Sequence, residues 1–164
     1  MPATTKVSRI IRAPRAAVYR ACIDPDALAA WRAPENMTAR VHEFDAREGG
    51  RYRMSLTYRD PAQGPGGKSS DDTDTFGGRF EALVPGERIV EIVEFESPDP
   101  RFAGEMRMTT SFADAGGGTE VTLLCENIPP GIRPEDNEEG CRQSLQNLAR
   151  LVEETNQLTQ SQQG

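Results

Sequence analysis

Histidine occurs once in this sequence, at position 42, and tryptophan once, at position 31. Cysteine occurs three times, at 22, 125 and 141, with no CxxC pair. One histidine and three scattered cysteines do not make a ligand set, so neither a metal site nor a cofactor is expected. An odd, sparse set of thiols reads as free cysteines in a reducing compartment, and the expected location is the cytoplasm. The first residues lack the apolar run of a signal peptide, and no stretch approaches the ~20 apolar residues of a membrane span. Positive charge is also scarce: 19 Lys and Arg stand against 26 Asp and Glu, a net charge of -7. That balance argues against nucleic acid or an anionic membrane as the main partner.

What is present suits one soluble domain. The 164 residues predict a single domain over 1–158 and a frayed Gln- and Ser-rich tail over 159–164. The most strongly helical stretch is the last, from Pro134 to about Leu158. Cys141, Leu145, Leu148 and Val152 recur at helical steps there and form one apolar stripe. Pro134 suits a first helical position, and the acidic run behind it suits the positive end of the helix dipole. Before it, Thr5 to Arg12 alternates as a strand that Pro14 ends. Two short helices follow, to Cys22 and to Trp31, the second capped by Asp24 with Pro25 in its first turn. Six strand candidates come next: Met37–Asp45, Arg51–Tyr58, Thr75–Leu83, Glu87–Phe95, Phe102–Phe112 and Thr119–Glu126. Tight turns at Gly49-Gly50, Pro85-Gly86 and Gly116-Gly117-Gly118 make neighbours of successive strands. The expected fold is α+β, a curved antiparallel sheet of about seven strands around the long C-terminal helix. One helix cannot cover a flat sheet of that width, so the sheet must bend round it.

Strand pairing decides which side chains face the helix. A two-residue turn at Pro85-Gly86 sets Phe80 opposite Glu91, Gly78 opposite Val93 and Phe76 opposite Phe95. Glu91 is then the one carboxylate on an apolar face, where burial would raise its pKa. It reads as a polar anchor or proton carrier, unless a bulge turns it to solvent or an arginine neutralises it. His42 depends on the Gly49 hairpin. A plain turn puts it outside, facing Ser55. A bulge at Gly49 or Gly50 flips the strand, buries Phe44 and turns His42 inward, and this second register is the one favoured here. Gly67-Lys68-Ser69 imitates the end of a phosphate loop but has Ala62 where glycine is needed. Asp71 to Asp74 lacks calcium-loop spacing and reads as a solvated loop.

These pieces resemble the helix-grip fold of the START-like, or SRPBCC, superfamily. Within it they are similar to the homologues of the heat-shock-protein ATPase activator C-terminal domain. The likeness is carried by Ile11-Arg12-Ala13-Pro14 with Val18-Tyr19, by Asp24-Pro25 through Leu28 to Trp31, and by the run from His42 to Met54. Val84-Pro85-Gly86-Glu87-Arg88-Ile89-Val90, Gly117-Gly118-Thr119 and Gly140-Cys141-Arg142-Gln143-Ser144-Leu145 extend it over nearly the whole chain. The resemblance implies a hydrophobic pocket between sheet and helix. It does not imply one reaction. Many relatives carry Trp where this chain has Cys141, which implies a roomier or differently lined cavity here.

The expected function is binding of a small apolar or amphipathic molecule. Trp31, His42, Tyr52, Met54, Tyr58, Phe76, Phe80, Glu91, Met106, Met108, Cys141, Ser144 and Leu148 are the expected lining. The 60–74 loop and the short helices would gate it. No catalytic residue is assigned. An enzyme of cyclase, dehydratase or hydrolase type would use Glu91 or His42 as its acid-base group. A protein-interaction module acting through the sheet surface is the third reading, and one chain leaves a homodimer open.

Overall fold

The computed structural model describes residues 3–34, 36–60, 70 and 72–163, with side chains through Asn156. The first alternating segment forms β1 (Ala3–Ile11), and Pro14 turns the chain into helix α1 (Arg15–Cys22). Asp24 caps helix α2 (Pro25–Trp31), its carboxylate accepting from the Asp26 amide at 2.9 Å. Six strands follow: β2 (Met37–Phe44), β3 (Arg51–Tyr58), β4 (Thr73–Val84), β5 (Arg88–Glu96), β6 (Met106–Ala115) and β7 (Gly118–Ile128). Helix α3 (Pro134–Gln163) completes the architecture. Its backbone stays helical through Gln163, into the segment expected to fray.

The strands form one antiparallel sheet in the order β1-β7-β6-β5-β4-β3-β2. Five of its six pairings join strands consecutive in sequence, and β1 returns to pair with β7. The sheet curves around α3, whose stripe of Leu145, Leu148 and Val152 is buried against it. This is the helix-grip fold, of class α+β, as the residue pattern predicted. The outer face of the sheet carries a set of ion pairs, with Ile10 of β1 its one exposed large apolar side chain among the described residues. Arg53 meets Glu96 at 2.6 Å, Arg79 meets Glu105 at 2.8 Å, and Arg107 meets Glu81 at 2.6 Å.

The expected β4–β5 pairs are present, with Phe80 opposite Glu91, Gly78 opposite Val93 and Phe76 opposite Phe95, but the turn is a three-residue one with Val84 opposite Arg88, and a bulge between Phe80 and Ala82 makes up the difference. Two other local readings need correction. Residues Pro100–Phe102 form a 3-10 turn whose cap is Asp99, accepting from the Arg101 amide at 2.9 Å, so the sixth strand starts at Met106 and not at Phe102. In the β2–β3 hairpin, Phe44 does turn inward opposite Tyr52, but the pairing slips again between Val41 and Glu43. That second bulge leaves His42 and Glu43 both exposed, one after the other. His42 therefore stands on the outer face, contrary to the favoured register, with its Nε2 2.8 Å from Ser55 Oγ.

Candidate functional site

A cavity of about 210 Å³ lies between the concave face of the sheet and the first turns of α3. Its walls come from alternate positions of the strands, because successive side chains leave a sheet on opposite faces. Strands β3 and β4 give Leu56, Tyr58 and Phe76, β5 gives Val93 and Phe95, β6 gives Met106 and Met108, and β7 gives Leu123 and Cys125. Trp31 and Arg32 enter from the end of α2, and Gly140, Cys141 and Ser144 from α3. The lining is mostly apolar, with polar groups concentrated at Arg32 and at the Asp74, Asp136 and Asn137 end.

A second void, about 10 Å³, lies deeper and shares Trp31 and Arg32 with the first. It is lined by Cys22, Tyr52, Met54, Phe80 and Glu91 among others, and is at the lower limit for one water molecule. Glu91 is 6% exposed and Tyr52 4% exposed. Burial raises the Glu91 pKa, and the Arg32 charge and the Tyr52 hydroxyl pull it partly back. The Tyr52 hydroxyl lies beside both charges yet has no hydrogen bond of ordinary geometry to either. Burial also pushes the Cys22 thiol up, with Glu91 adding to it.

Arg32 is the element that sequence reasoning missed. Burial draws its pKa down, and Glu91, Tyr52 and the two pocket cysteines more than reverse this, so it stays charged. Its guanidinium lies 5.9 Å from the centre of the Trp31 ring and 5.7 Å from that of Phe76. One nitrogen points at the Met108 sulfur, 3.6 Å away. The backbone that carries it is clamped to α3. Ser144 Oγ donates to the Arg32 carbonyl at 2.9 Å, and Asn147 donates to the Ala33 carbonyl at 2.9 Å. The indole N–H of Trp31 donates to the Ala21 carbonyl at 2.9 Å. An arginine one residue past a short helix offers no periodicity that foretells its direction; the only signal was a charge inside Ala29-Ala30-Trp31-Arg32-Ala33.

The expected lining divides accordingly. Trp31, Tyr58, Phe76, Met106, Met108, Cys141 and Ser144 line the main cavity. Tyr52, Met54, Phe80 and Glu91 line the inner void. Leu148 is fully buried in the core between helix and sheet and reaches neither, and His42 is on the far side of the sheet. Ser144 spends its hydroxyl on holding Arg32 in place. Cys125 Sγ and Cys141 Sγ face each other at 4.0 Å as free thiols. That contact, then burial, pushes Cys141 up, while it draws Cys125 down. The 60–74 gate and the Gly67-Lys68-Ser69 motif fall largely or wholly on residues 61–69 and 71, outside the described residues. Among the described residues no three His, Cys, Asp or Glu side chains are placed to hold a metal. A wider groove, about 640 Å³, runs along α2, β2 and α3, but it is polar-lined. The site is assigned to the smaller cavity because apolar walls and the half-buried charge of Arg32 converge there.

Comparison with known proteins follows the same geometry. Residues 12–153 match the family described as Activator of Hsp90 ATPase homolog 1-like protein. The chain belongs to this family. Protein CV1439 from Chromobacterium violaceum is 40% identical over 93% of this chain and 99% of its own, with a TM-score of 0.82. The AHSA1-like protein from Aeromonas hydrophila shares the fold at 20% identity and a TM-score of 0.72, covering 94% of each chain. An uncharacterised Rhizobium leguminosarum protein does so at 21% identity and the same TM-score, covering 94% of this chain and 96% of its own. No functionally curated protein matches the sequence. Among the described residues of this AHSA1-like chain no helix is long and apolar enough to cross a membrane.

Proposed function

We propose that this AHSA1-like protein binds a small apolar or amphipathic molecule in the 210 Å³ cavity between its sheet and α3. The observation that carries this is the cavity itself. Its walls are apolar side chains from six strands, β2 contributing Met37, and a cavity of roughly 150 Å³ is enough for benzene. The volume suits a molecule of one or two rings; a sterol or long acyl chain asks for the larger pockets of roughly 300–1,000 Å³. The ion-paired outer face supports the cavity over the sheet surface as the working site, which sets the chaperone-activator reading of the family name second. Catalysis by His42 is disfavoured by its position outside.

Methyl-labelled methionine tests the proposal. One-ring probes such as toluene, phenol and indole, titrated into the full chain, should shift the methyl signals of Met37, Met106 and Met108, which line the cavity, more than that of Met54, which lines only the inner void. Binding with no preference for those three methyls, or no binding at millimolar probe, would remove the reading.

A further inference from the structure

Resting on the cavity being a binding site, we propose that its ligands are small aromatic monocarboxylates and that Arg32 receives their carboxylate. A guanidinium carries five N–H donors in a planar fork shaped for a carboxylate. Here the fork lines the cavity with one nitrogen on the Met108 sulfur and its charge near the Trp31 and Phe76 rings. A thioether is a weak acceptor and a ring face accepts no in-plane N–H. Among the described residues no carboxylate stands within ion-pair distance of this group. Glu91 acts on it only through space, from the inner void. Glu91 and the Tyr52 hydroxyl keep this half-buried cation charged from the inner side, while on the cavity side it has no carboxylate to take its N–H donors, and an incoming one supplies that.

The rest of the lining narrows the class. Phe76, Val93, Met106, Met108 and Leu123 offer a ring nothing but apolar contact. The volume leaves room for a ring, a short linker and one carboxylate. A second negative charge is disfavoured at both ends. Glu91 lies behind Arg32, and Asp74 and Asp136 stand by Tyr58, where both act on its hydroxyl. Ser144 holds the Arg32 carbonyl, and Asn147 the neighbouring Ala33 carbonyl, to α3 before any ligand arrives, so the backbone that carries the fork is fixed in advance. They are positioning residues.

Calorimetric titration of the full chain with 3-phenylpropionate, 3-phenylpropionamide and terephthalate tests this. The acid should bind about tenfold more tightly than the amide, the gain expected of a charge-assisted pair of hydrogen bonds. The dicarboxylate should bind more weakly than the monoacid. Arg32→Gln should bring acid and amide to within about twofold by weakening the acid alone. Arg32→Lys should keep part of the preference, since charge survives but the fork does not. Equal binding of acid and amide by the native chain overturns the carboxylate claim while leaving the cavity reading intact. So does a preference that persists in Arg32→Gln. The native acid-to-amide ratio decides the matter even if no Arg32 variant folds. Failure of both ligands to bind, with no response at Met106 or Met108, overturns both readings.

Discussion

A carboxyl group buried opposite a phenylalanine has to be stabilised by something or give up its charge. Glu91 does some of each: desolvation by Phe80, Ile89 and the rest of the inner void raises its pKa, and Arg32 with Tyr52 recovers only part of the loss. Because the folded chain holds this proton to higher pH than the unfolded chain, folding binds protons in the interval between the two values. The stability gained is fully present below the ordinary value of 4.5 and is lost as pH rises through the folded one. The groups facing Glu91 from other elements are Arg32, Tyr52 and Cys22, and of these only Arg32 is charged at neutral pH. Glu91→Gln should therefore lack this component. Melting the two proteins side by side from pH 4 to 7 should show the native chain losing ground to the variant as pH rises. Parallel curves would mean that Glu91 titrates as it does in the unfolded chain. The inward position of Glu91 was legible from strand alternation, although the turn holds three residues, Pro85-Gly86-Glu87, and a bulge between Phe80 and Ala82 brings Phe80 back opposite Glu91. Its partner was not. The backbone at Arg32 is held by Ser144 and Asn147, more than a hundred residues away, and no local pattern encodes such a contact.

At the scale of elements, strand phase separates what could be read from what could not. Strands β3 and β5 alternate without interruption, and their inward residues were assigned correctly. Strand β2 carries a bulge at its middle, and a single extra residue reverses which side every later residue faces. Since His42 ends on the outer face against Ser55, His42→Ala should change stability by no more than about 0.5 kcal/mol and leave probe binding unchanged, checked by urea unfolding and by titration. Gly78 shows the opposite case, a residue whose absence of side chain is structural. A Cβ there would sit 2.6 Å from the Ile92 carbonyl and 2.9 Å from the Tyr52 ring. Tyr52 can lie across β4 toward Phe76 and Phe80 only because that space is empty. Gly78→Ala should cost about 1–3 kcal/mol in urea unfolding and should perturb the inner void. The helical stripe of α3 was legible from its spacing alone. Leu148 belongs to that stripe as packing: Leu148→Ala should cost about 2–5 kcal/mol, with the acid-to-amide ratio of any bound probe unchanged.

For the molecule as a whole, the cavity is what remains when one helix fills a bent seven-stranded sheet incompletely. Small side chains at Gly140, Cys141 and Ser144 keep α3 from closing it. Substitution at one of these positions should separate folding from function, and Cys141 is the informative one. It lines the cavity, is partly buried, and faces Cys125 across 4.0 Å without a covalent bond. An indole there projects into space that is open now, so the overpacking expected of a full core does not apply. Burying its ring should add apolar contact worth roughly 1–2 kcal/mol at about 25 cal/mol per Å². Cys141→Trp should thus unfold at equal or higher urea concentration while binding 3-phenylpropionate at least about tenfold more weakly, a loss of about 1.4 kcal/mol or more. Cys141→Ser leaves the volume open and should bind as the native chain does. The pair of variants distinguishes a filled site from a damaged fold, because the blocked one is the more stable. Native-like binding by Cys141→Trp would place the ligand somewhere other than between sheet and helix, and the polar groove along β2 and α3 would be the next surface to probe.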